Sequence, residues 1–251
     1  MSNKISRVLA FVYGIFCYIT FIISVLILIC FIENIFLPKT LDSDQAIALW
    51  QALSINTSLV SLFALQHSGM ARQHFKQWWT TFIPKPIERS TYVLAASVIL
   101  IFVIFAWQPL GISIWEITNP FIFYSLYSLS FVGWLLVALS TFSINHFDLV
   151  GLRQVYFNLS NQPYLELEFI TPRLYQTVRH PMYSGVLLGV WCTPKMTLSH
   201  LIFAILFSAY IFVGIKLEEK DLITHHGEQY KTYQKQVPML FPDLLKFRKT
   251  N

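Results

Sequence analysis

The stretch Val8–Ile32, VLAFVYGIFCYITFIISVLILICFI, decides the fold because it runs for 25 positions without a charged side chain. About 20 apolar residues are enough for an α-helix to cross a bilayer. A secretory signal peptide has a shorter apolar core followed by a small-residue cleavage site, and this stretch does not follow that pattern. We therefore predict a retained membrane-spanning helix.

The composition of the 251-residue chain extends this prediction to the whole protein. Hydrophobic residues make up 55% of it and charged residues only 12%, which is more apolar than a soluble domain. Thr193-Pro194-Lys195 interrupts the last of the apolar runs, where a proline next to a charge favours a turn. We predict an all-α, polytopic membrane helix bundle with about six transmembrane helices, the last two forming a helical hairpin. The further apolar runs cover residues 46–65, 90–107, 120–142 and 182–215.

The distribution of positive charge predicts the orientation of these helices. An even number of spans places both termini on one side, and all 18 Lys and Arg residues except Lys39 and Lys195 then lie on that side. Lys and Arg are enriched in the cytoplasmic segments of membrane proteins. We therefore predict that both termini are cytoplasmic. The net charge of +5 belongs to this pattern, so we expect membrane lipids and no nucleic acid as partners.

The three cysteines do not indicate a disulfide framework or a metal site. Cys17, Cys30 and Cys192 all lie in apolar runs, and none belongs to a C-x-x-C motif. Such residues are typical of buried small hydrophobes. We expect no metal centre.

Polar side chains that could carry chemistry gather on the predicted cytoplasmic side. Polar groups near membrane depth are costly, so a group of them at one end of a bundle suggests a site. The alternative is ordinary contact with lipid headgroups and water. The set comprises His67, Asn145, His146, Asp148, Arg153, His180, Glu218, Glu219, His225 and His226.

Asn145, His146 and Asp148 directly follow the fourth predicted span and could handle protons. Histidine transfers protons near neutral pH, and a neighbouring carboxylate can orient its ring. On a regular helix, side chains two positions apart point away from each other, so a His–Asp pair needs an irregular turn, which Gly151 permits. His67, at the end of the second span, could act on a substrate or a metal, or be a hydrogen-bonded residue at a helix end.

The stretch Arg179–Gly185, RHPMYSG, breaks a helix at the edge of an apolar run. Pro181 disfavours helix at His180 and interrupts the hydrogen bonding of the helix, so backbone groups are freed beside two basic side chains. Non-helical backbone is tolerated at this depth where it lines a cavity. Glu218 and Glu219 close the returning helix of the hairpin at the level of His180. Together these residues supply donors for a carboxylate and acceptors for an ammonium or a ribose diol, which suits an amino-acid-bearing nucleoside.

These motifs resemble the C-terminal half of the isoprenylcysteine carboxyl methyltransferase and phospholipid methyltransferase superfamily. The resemblance covers residues 172–242. One branch, the bacterial methanethiol S-methyltransferases, is more similar over most of the chain through "LQHSGMAR", "PIERSTY", "INHFDLVGLRQV" and "TPRLYQTVRHPMYSG". The NnrU-like proteins share the "QHS" and "ERS" features. The superfamily pattern is RHPxYxG at 179–185, then Glu218-Glu219, Gly227, Tyr230, Tyr233, Val237-Pro238 and Pro242.

The resemblance implies a single domain, 1–251, in the bacterial cytoplasmic membrane. It implies a four-helix membrane part at 1–142 and a cofactor-binding half at 172–242. The implied cofactor is S-adenosylmethionine, and the implied substrate is a small thiol, methanethiol, which becomes dimethyl sulfide. The implied cofactor residues are Arg179, His180, Tyr183, Gly185, Glu218, Glu219 and Tyr175. The implied substrate residues are His146 as base, Asp148 as its orienting partner, and Asn145, His67 and Arg153.

Three other functions remain open at this point. A membrane methyltransferase could act on a lipid amine or on the carboxylate of a prenylated cysteine. A haem protein could use His67 with His146 or His180 as ligands, although the break at Pro181 and the glutamate pair would then have no role. An NnrU-like protein could be accessory and not enzymatic.

Overall fold

The computed structural model describes residues 4–44 and 47–243, and this part of the chain is almost entirely helical. Its two short strands pair as a two-stranded sheet. The predicted all-α class is confirmed. The helices are α1 (Lys4–Ile32), α2 (Leu49–Met70), α3 (Gln73–Trp79), α4 (Glu88–Ala106), α5 (Pro120–Ile144), α6 (His146–Leu149), α7 (Leu152–Leu159), α8 (Arg173–Thr177), α9 (Pro181–Trp191), α10 (Leu198–His226) and α11 (Glu228–Gln236); the strands are β1 (Ser113–Glu116) and β2 (Lys195–Thr197), and a 3₁₀ turn, Lys85–Ile87, precedes α4.

Four of the described helices are long and apolar enough to cross a membrane, namely α1, α4 with its preceding turn, α5 and α10. The chain is therefore an integral membrane protein. The predicted count of six spans is not confirmed. Helix α2 has 22 residues but is less apolar, and α9 has only 11 residues. At 1.5 Å per residue α9 is about 16 Å long, roughly half the hydrocarbon thickness of a bilayer.

The predicted interruption of the last apolar tract is confirmed, because α9 ends at Trp191 and α10 begins at Leu198. The cytoplasmic position of both termini stays a prediction. Lys246, Arg248 and Lys249 contribute to that prediction and lie outside the described residues, as does the first residue of the apolar run 46–65.

Within the membrane helices α1 and α5, small or polar residues are buried while large apolar ones are exposed. Helix α1 buries Gly14 and Ser24 but exposes Phe16. Helix α5 buries Gly133 and exposes Phe131. In lipid, large apolar side chains can face acyl chains, while small residues allow helices to approach closely. The pattern is therefore that of a membrane bundle.

The chain divides into two compact units that are interleaved in sequence. In the first unit, α1 packs on α4 and α7, and α2 packs on α4; in the second unit, α5 packs along α9. The predicted parts 1–142 and 172–242 remain predictions. The first unit lies within Met1–Trp115, Asn145–Glu166 and Lys195–Leu206, and the second within Glu116–Ile144, Leu167–Pro194 and Phe207–Asn251.

In the second unit, α5 and α9 approach each other through glycines. A Cβ on Gly185 would lie 2.5 Å from the carbonyl oxygen of Gly133, and a Cβ on Gly133 would lie 2.6 Å from the carbonyl oxygen of Gly185. No side chain fits at such distances without moving the backbone. Gly185, which the resemblance assigned to the cofactor, thus packs against α5, and its part in cofactor binding remains a prediction.

In the first unit, a buried carboxylate joins the loop after α1 to the start of α10. Asp42 accepts hydrogen bonds from the Asn34 amide at 2.5 Å and from the Thr197 hydroxyl, and its Oδ2 lies 3.1 Å from Nδ1 of His200. The Asp42 and His200 side chains are only 3% and 0% exposed. Burial raises the pKa of Asp42, but the hydrogen bonds and charge of its partners outweigh burial and leave that pKa below its ordinary value.

Asp42→Ala should lower the free energy of unfolding by about 3 kcal/mol, because several buried donors lose their acceptor at once. Thermal unfolding of the purified protein in one detergent measures the change. Asp44→Ala is the matched control, since Asp44 is exposed in the same loop and its loss should cost less than about 0.5 kcal/mol. Equal stability of the two variants would contradict the structural role of Asp42.

Candidate functional site

In the second unit, the helix break at Pro181 occurs as predicted. Helix α8 ends at Thr177, Pro181 is the first residue of α9, and His180 has non-helical dihedrals of φ −127° and ψ 64°. The freed backbone N–H of Arg179 donates to the carbonyl of Pro238 at 2.8 Å, and that of His180 donates to Met239 at 3.1 Å. These groups were expected to line a cavity, but they bind the segment that follows α11.

The carboxylate of Glu219, on α10, binds several polar side chains of this region. Its Oε1 accepts from Nε of Arg179 at 2.7 Å and lies 3.0 Å from Nε2 of His180. Its Oε2 accepts from the Gln234 amide at 2.9 Å, and the Tyr230 hydroxyl lies 3.5 Å from Oε1. Glu219 thereby connects residues from α10, from α11 and from the break before α9.

Arg179 also binds the main chain at the end of α11. Its Nη1 donates to the carbonyl oxygens of Gln234 at 3.1 Å and Val237 at 2.6 Å. The side chain is only 12% exposed, and a planar guanidinium can satisfy a carboxylate and carbonyls together. Arg179 therefore holds segment 237–240 in place, a role that Ser184 shares by donating to Leu240 at 2.6 Å.

Glu218 differs from its neighbour Glu219 in its surroundings. Among the described residues it accepts one hydrogen bond, from the Tyr183 hydroxyl at 3.0 Å. The Tyr175 hydroxyl donates to the Ser140 carbonyl at 3.4 Å, and burial, with the charge of Glu218, raises the pKa of Tyr175. Of the two carboxylates, Glu218 keeps more capacity to accept bonds from a ligand.

The second unit also contains site residues that sequence reasoning missed. Gln234 lies four positions after Tyr230 on α11, so helical spacing from a motif residue could have indicated it. Phe169 lies in an irregular segment and has no comparable signal; its ring centroid is 4.9 Å from that of His226 and 5.7 Å from that of Tyr230. Burial, together with Glu219 and Glu218, raises the pKa of Tyr230, so its hydroxyl stays protonated as a donor.

In the first unit, His146 begins the one-turn helix α6. Asn145 caps this turn, because its Oδ1 accepts from the backbone N–H of Asp148 at 3.0 Å. Nε2 of His146 lies 3.1 Å from the Tyr18 hydroxyl. His146 is 6% exposed, and burial lowers its pKa from the ordinary 6.5. The lowered pKa favours the neutral imidazole.

Asp148 has partners that the sequence did not indicate. Its Oδ1 accepts from Nη1 of Arg153 at 2.9 Å and from the Tyr164 hydroxyl at 2.9 Å. Arg153 donates further to the carbonyl of Leu165 at 3.0 Å. That Asp148 orients His146 remains a prediction, and these contacts explain Asp148 equally well as the residue that holds segment 153–165.

His67 lies in the last turn of α2 and has a local partner. Its Nε2 is 2.9 Å from the Tyr92 hydroxyl on α4, and its ring stacks on Phe63 at 5.3 Å. The same atom, Nε2, is paired with a protein oxygen in each of the three candidate haem ligands, His67, His146 and His180. Binding of haem iron at Nε2 would have to break these hydrogen bonds. The arrangement matches the hydrogen-bonded helix-end interpretation of His67.

The N-terminus of α4 positions the turn that carries His146. Nε of Arg89 donates to the carbonyl of Leu149 at 2.7 Å. Gly151 has a φ of 88°, and a Cβ there would lie 2.6 Å from the backbone nitrogen of Ser90. Only glycine combines that conformation with so close a contact. The stretches 88–90, "ERS", and 150–152, "VGL", thus pack directly against each other.

The predicted site residues form two groups. Arg179, His180, Tyr183, Gly185, Glu218, Glu219 and Tyr175 belong to the second unit, where Glu219 brings Arg179 and His180 together. His67, Asn145, His146, Asp148 and Arg153 belong to the first. In both units, hydrogen bonds and ion pairs hold these polar groups. Glu218 and Glu219 were expected to close their helix, but α10 continues for seven residues beyond Glu219, to His226.

Among the described residues, four helices that are long and apolar enough to cross a membrane define the class of an integral membrane protein. The chain is 53% identical to the methanethiol S-methyltransferase of Crocosphaera subtropica over 96% of its own length and 95% of that protein's. It is 47% identical to methanethiol S-methyltransferase 1 of Bradyrhizobium diazoefficiens, covering 96% and 85%, and 44% identical to the methanethiol S-methyltransferase of Mycobacterium tuberculosis, covering 94% and 97%. The chain belongs to the methanethiol S-methyltransferase family.

Other comparisons extend less far. At 29% identity over 68% of each chain, the protein is also similar to Nurim of Rattus norvegicus. No family model matches the chain, and no solved structure matches it.

Arg179→Lys should lower the free energy of unfolding by about 2 kcal/mol, because an ammonium cannot satisfy Glu219 and two carbonyls in the same geometry. Limited proteolysis after α11, read with thermal unfolding, measures the release of segment 237–240. Arg173→Lys is the control, since Arg173 is exposed in the neighbouring α8. Unchanged cleavage in Arg179→Lys would show that the segment does not depend on the guanidinium.

Proposed function

We propose that this chain transfers a methyl group from S-adenosylmethionine to methanethiol and forms dimethyl sulfide in the bacterial cytoplasmic membrane. The observation that carries the proposal is the identity of 44% to 53%, over at least 94% of the chain, to proteins named for this reaction. The polar groups of each unit also support the proposal. Those of the second unit suit the methyl donor, and those of the first unit suit the thiol.

The second unit supplies a donor and acceptor set that fits the methyl donor. S-adenosylmethionine supplies, when bound, an electrophilic methyl group on a sulfonium, and it also carries an ammonium, a carboxylate and a ribose diol. Glu218 has capacity to accept from the ammonium or the diol, since among described residues only Tyr183 donates to it. Glu219 is engaged by Arg179 and His180. We therefore assign Glu218 to direct contact and Glu219 to positioning.

The first unit supplies a proton acceptor for the thiol. A thiolate is the nucleophilic form, and His146 is neutral near pH 7 because burial lowers its pKa. Attack of a thiolate on a sulfonium removes both charges, so water-poor surroundings favour the reaction over the separated ions. Methanethiol is small and apolar, which allows it to enter from the lipid. A general base typically raises turnover about 10²-fold, and we expect the same contribution from His146.

Purified protein in nanodiscs, given S-adenosylmethionine and methanethiol, should release dimethyl sulfide into the headspace. Glu218→Gln should lower product formation and weaken the binding of S-adenosylhomocysteine by about tenfold, since a neutral amide replaces a charge-assisted acceptor. Glu228→Gln is the matched control, because the Glu228 side chain on α11 is 80% exposed.

Two results would contradict this assignment. If the protein binds S-adenosylhomocysteine but yields labelled lipid and no volatile product, the substrate is a lipid and not methanethiol. If Glu218→Gln binds S-adenosylhomocysteine as tightly as Glu228→Gln does, Glu218 does not contact the methyl donor.

His146→Ala should lower turnover about 10²-fold near pH 7 while leaving S-adenosylhomocysteine affinity unchanged. Wild-type turnover should fall only when the pH drops through the lowered pKa of His146 and the imidazole becomes protonated. In the variant, turnover should rise with pH as the thiol ionises by itself, so the deficit narrows toward pH ~9.5. His74→Ala, an exposed histidine on α3, is the control. A deficit of constant size across the pH range would exclude His146 as the base.

A further inference from the structure

Tyr18, on α1, contacts the ring nitrogen Nε2 of His146. Its hydroxyl is 3.1 Å from Nε2 of His146, and the two rings meet edge to face with centroids 5.6 Å apart. His146 is buried, whereas Tyr18 is partly exposed. The Tyr18 hydroxyl therefore occupies a hydrogen-bonding position at Nε2.

This contact restricts how Nε2 of His146 can serve as a base. A neutral imidazole has one nitrogen that accepts a hydrogen bond. If Nε2 is that nitrogen, its lone pair already accepts the proton of the Tyr18 hydroxyl at 3.1 Å. A thiol cannot reach the same lone pair while the phenol occupies it. A proton from the thiol can then arrive at Nε2 only through the oxygen of Tyr18.

We propose that Tyr18 is a further catalytic residue, which contacts the thiol and relays its proton to His146. The S–H bond breaks as its proton binds the Tyr18 oxygen, while the Tyr18 O–H proton moves to Nε2. The thiol sulfur forms its new bond to the methyl carbon as the bond from that carbon to the sulfonium sulfur breaks, and the electron pair stays on the leaving sulfur. Imidazolium later releases one proton to water. This inference rests on the proposed function.

Aromatic rings next to the pair suit a small apolar thiol. The ring of Phe147 lies 5.5 Å from that of His146 and 6.3 Å from that of Tyr18, and the ring of Phe21 lies 6.3 Å from that of His146. Sulfur makes favourable contacts with aromatic rings at about 5 Å. Such surroundings favour uncharged alkanethiols over thiols that carry an amine or a carboxylate.

The charged groups that reach the His146 turn already have partners. Asp148 on the same turn pairs with Arg153 of α7. Arg89 of α4 donates to the carbonyl of Leu149. Tyr18 is the titratable group that α1 presents to Nε2. The geometry thus assigns proton transfer to the Tyr18 and His146 pair, and fixation of the turn to the ionic groups.

Tyr18→Phe tests the relay, and Tyr13→Phe is its matched control. Tyr13 lies on the same helix, and its hydroxyl is 3.1 Å from Oγ1 of Thr91. Tyr18→Phe should lower turnover about 10²-fold near pH 7, with the deficit narrowing at high pH. Tyr13→Phe should stay within about threefold of wild type. Both should bind S-adenosylhomocysteine with wild-type affinity.

Combining Tyr18→Phe with His146→Ala should lower turnover no further than the more damaging single change, because the two residues act as one unit. Turnover of Tyr18→Phe equal to that of Tyr13→Phe, a deficit that is the same at every pH, or fully additive losses would each overturn the relay. Wild-type protein that makes no dimethyl sulfide would overturn the proposed function together with the relay.

A difluorotyrosine at position 18 keeps the test decisive if Tyr18→Phe fails to fold. It preserves the hydroxyl and nearly preserves the volume but makes the phenol more acidic. The protein should unfold at the wild-type temperature, and its pH–turnover profile should move to lower pH. The same replacement at position 13 should leave the profile in place. An unmoved profile at position 18 would overturn the relay.

Discussion

A largely buried carboxylate in a membrane protein must find its partners within the chain, and Glu219 shows how much structure this constraint organises. Arg179, His180 and Gln234 all reach its two oxygens within 3.0 Å. A charge left without partners in such largely buried surroundings would cost several kcal/mol, so these partners cannot be lost one at a time without penalty. Satisfying this one side chain ties α10 and α11 to the helix break before α9, which Pro181 sets locally.

The same constraint separates motif residues that fix the backbone from those that remain able to bind a ligand. Asn145 caps α6, and Arg89 binds a carbonyl of the same turn. Arg179 is occupied by Glu219 and two carbonyls. Residues in a shared motif can therefore be essential for structure without touching a substrate. Groups with remaining hydrogen-bonding capacity, such as Glu218, are better candidates for contact.

Features set by neighbouring residues could be predicted from the sequence, and features set by distant residues could not. The charge-free run of α1 and the break at Pro181 follow from hydropathy and local sterics. Arg179 binds Glu219, 40 positions away, and the predicted hairpin had already brought Glu219 back to this level. Arg179 also binds the carbonyl of Val237, 58 positions away, and no local pattern encodes that contact. Tyr18 is one of 12 tyrosines in an aromatic-rich chain, so only the folded helix packing reveals its pairing with His146. The length of α9 could not be predicted either. An apolar run shows where a helix can form, but it does not show where packing ends the helix.

The proposed reaction moves one positive charge, and this explains why the base should be neutral and placed at a helix end. A sulfonium and a neutral thiol give two neutral thioethers and one proton, so the charge passes from sulfur to the acceptor. A carboxylate in water-poor surroundings would be costly before the reaction. A buried histidine with a lowered pKa carries no charge until it receives the proton, and that lowered pKa favours rapid release. His146 follows the end of α5 and does not lie within that span, so its proton has a shorter way to water than one accepted midway along a transmembrane helix.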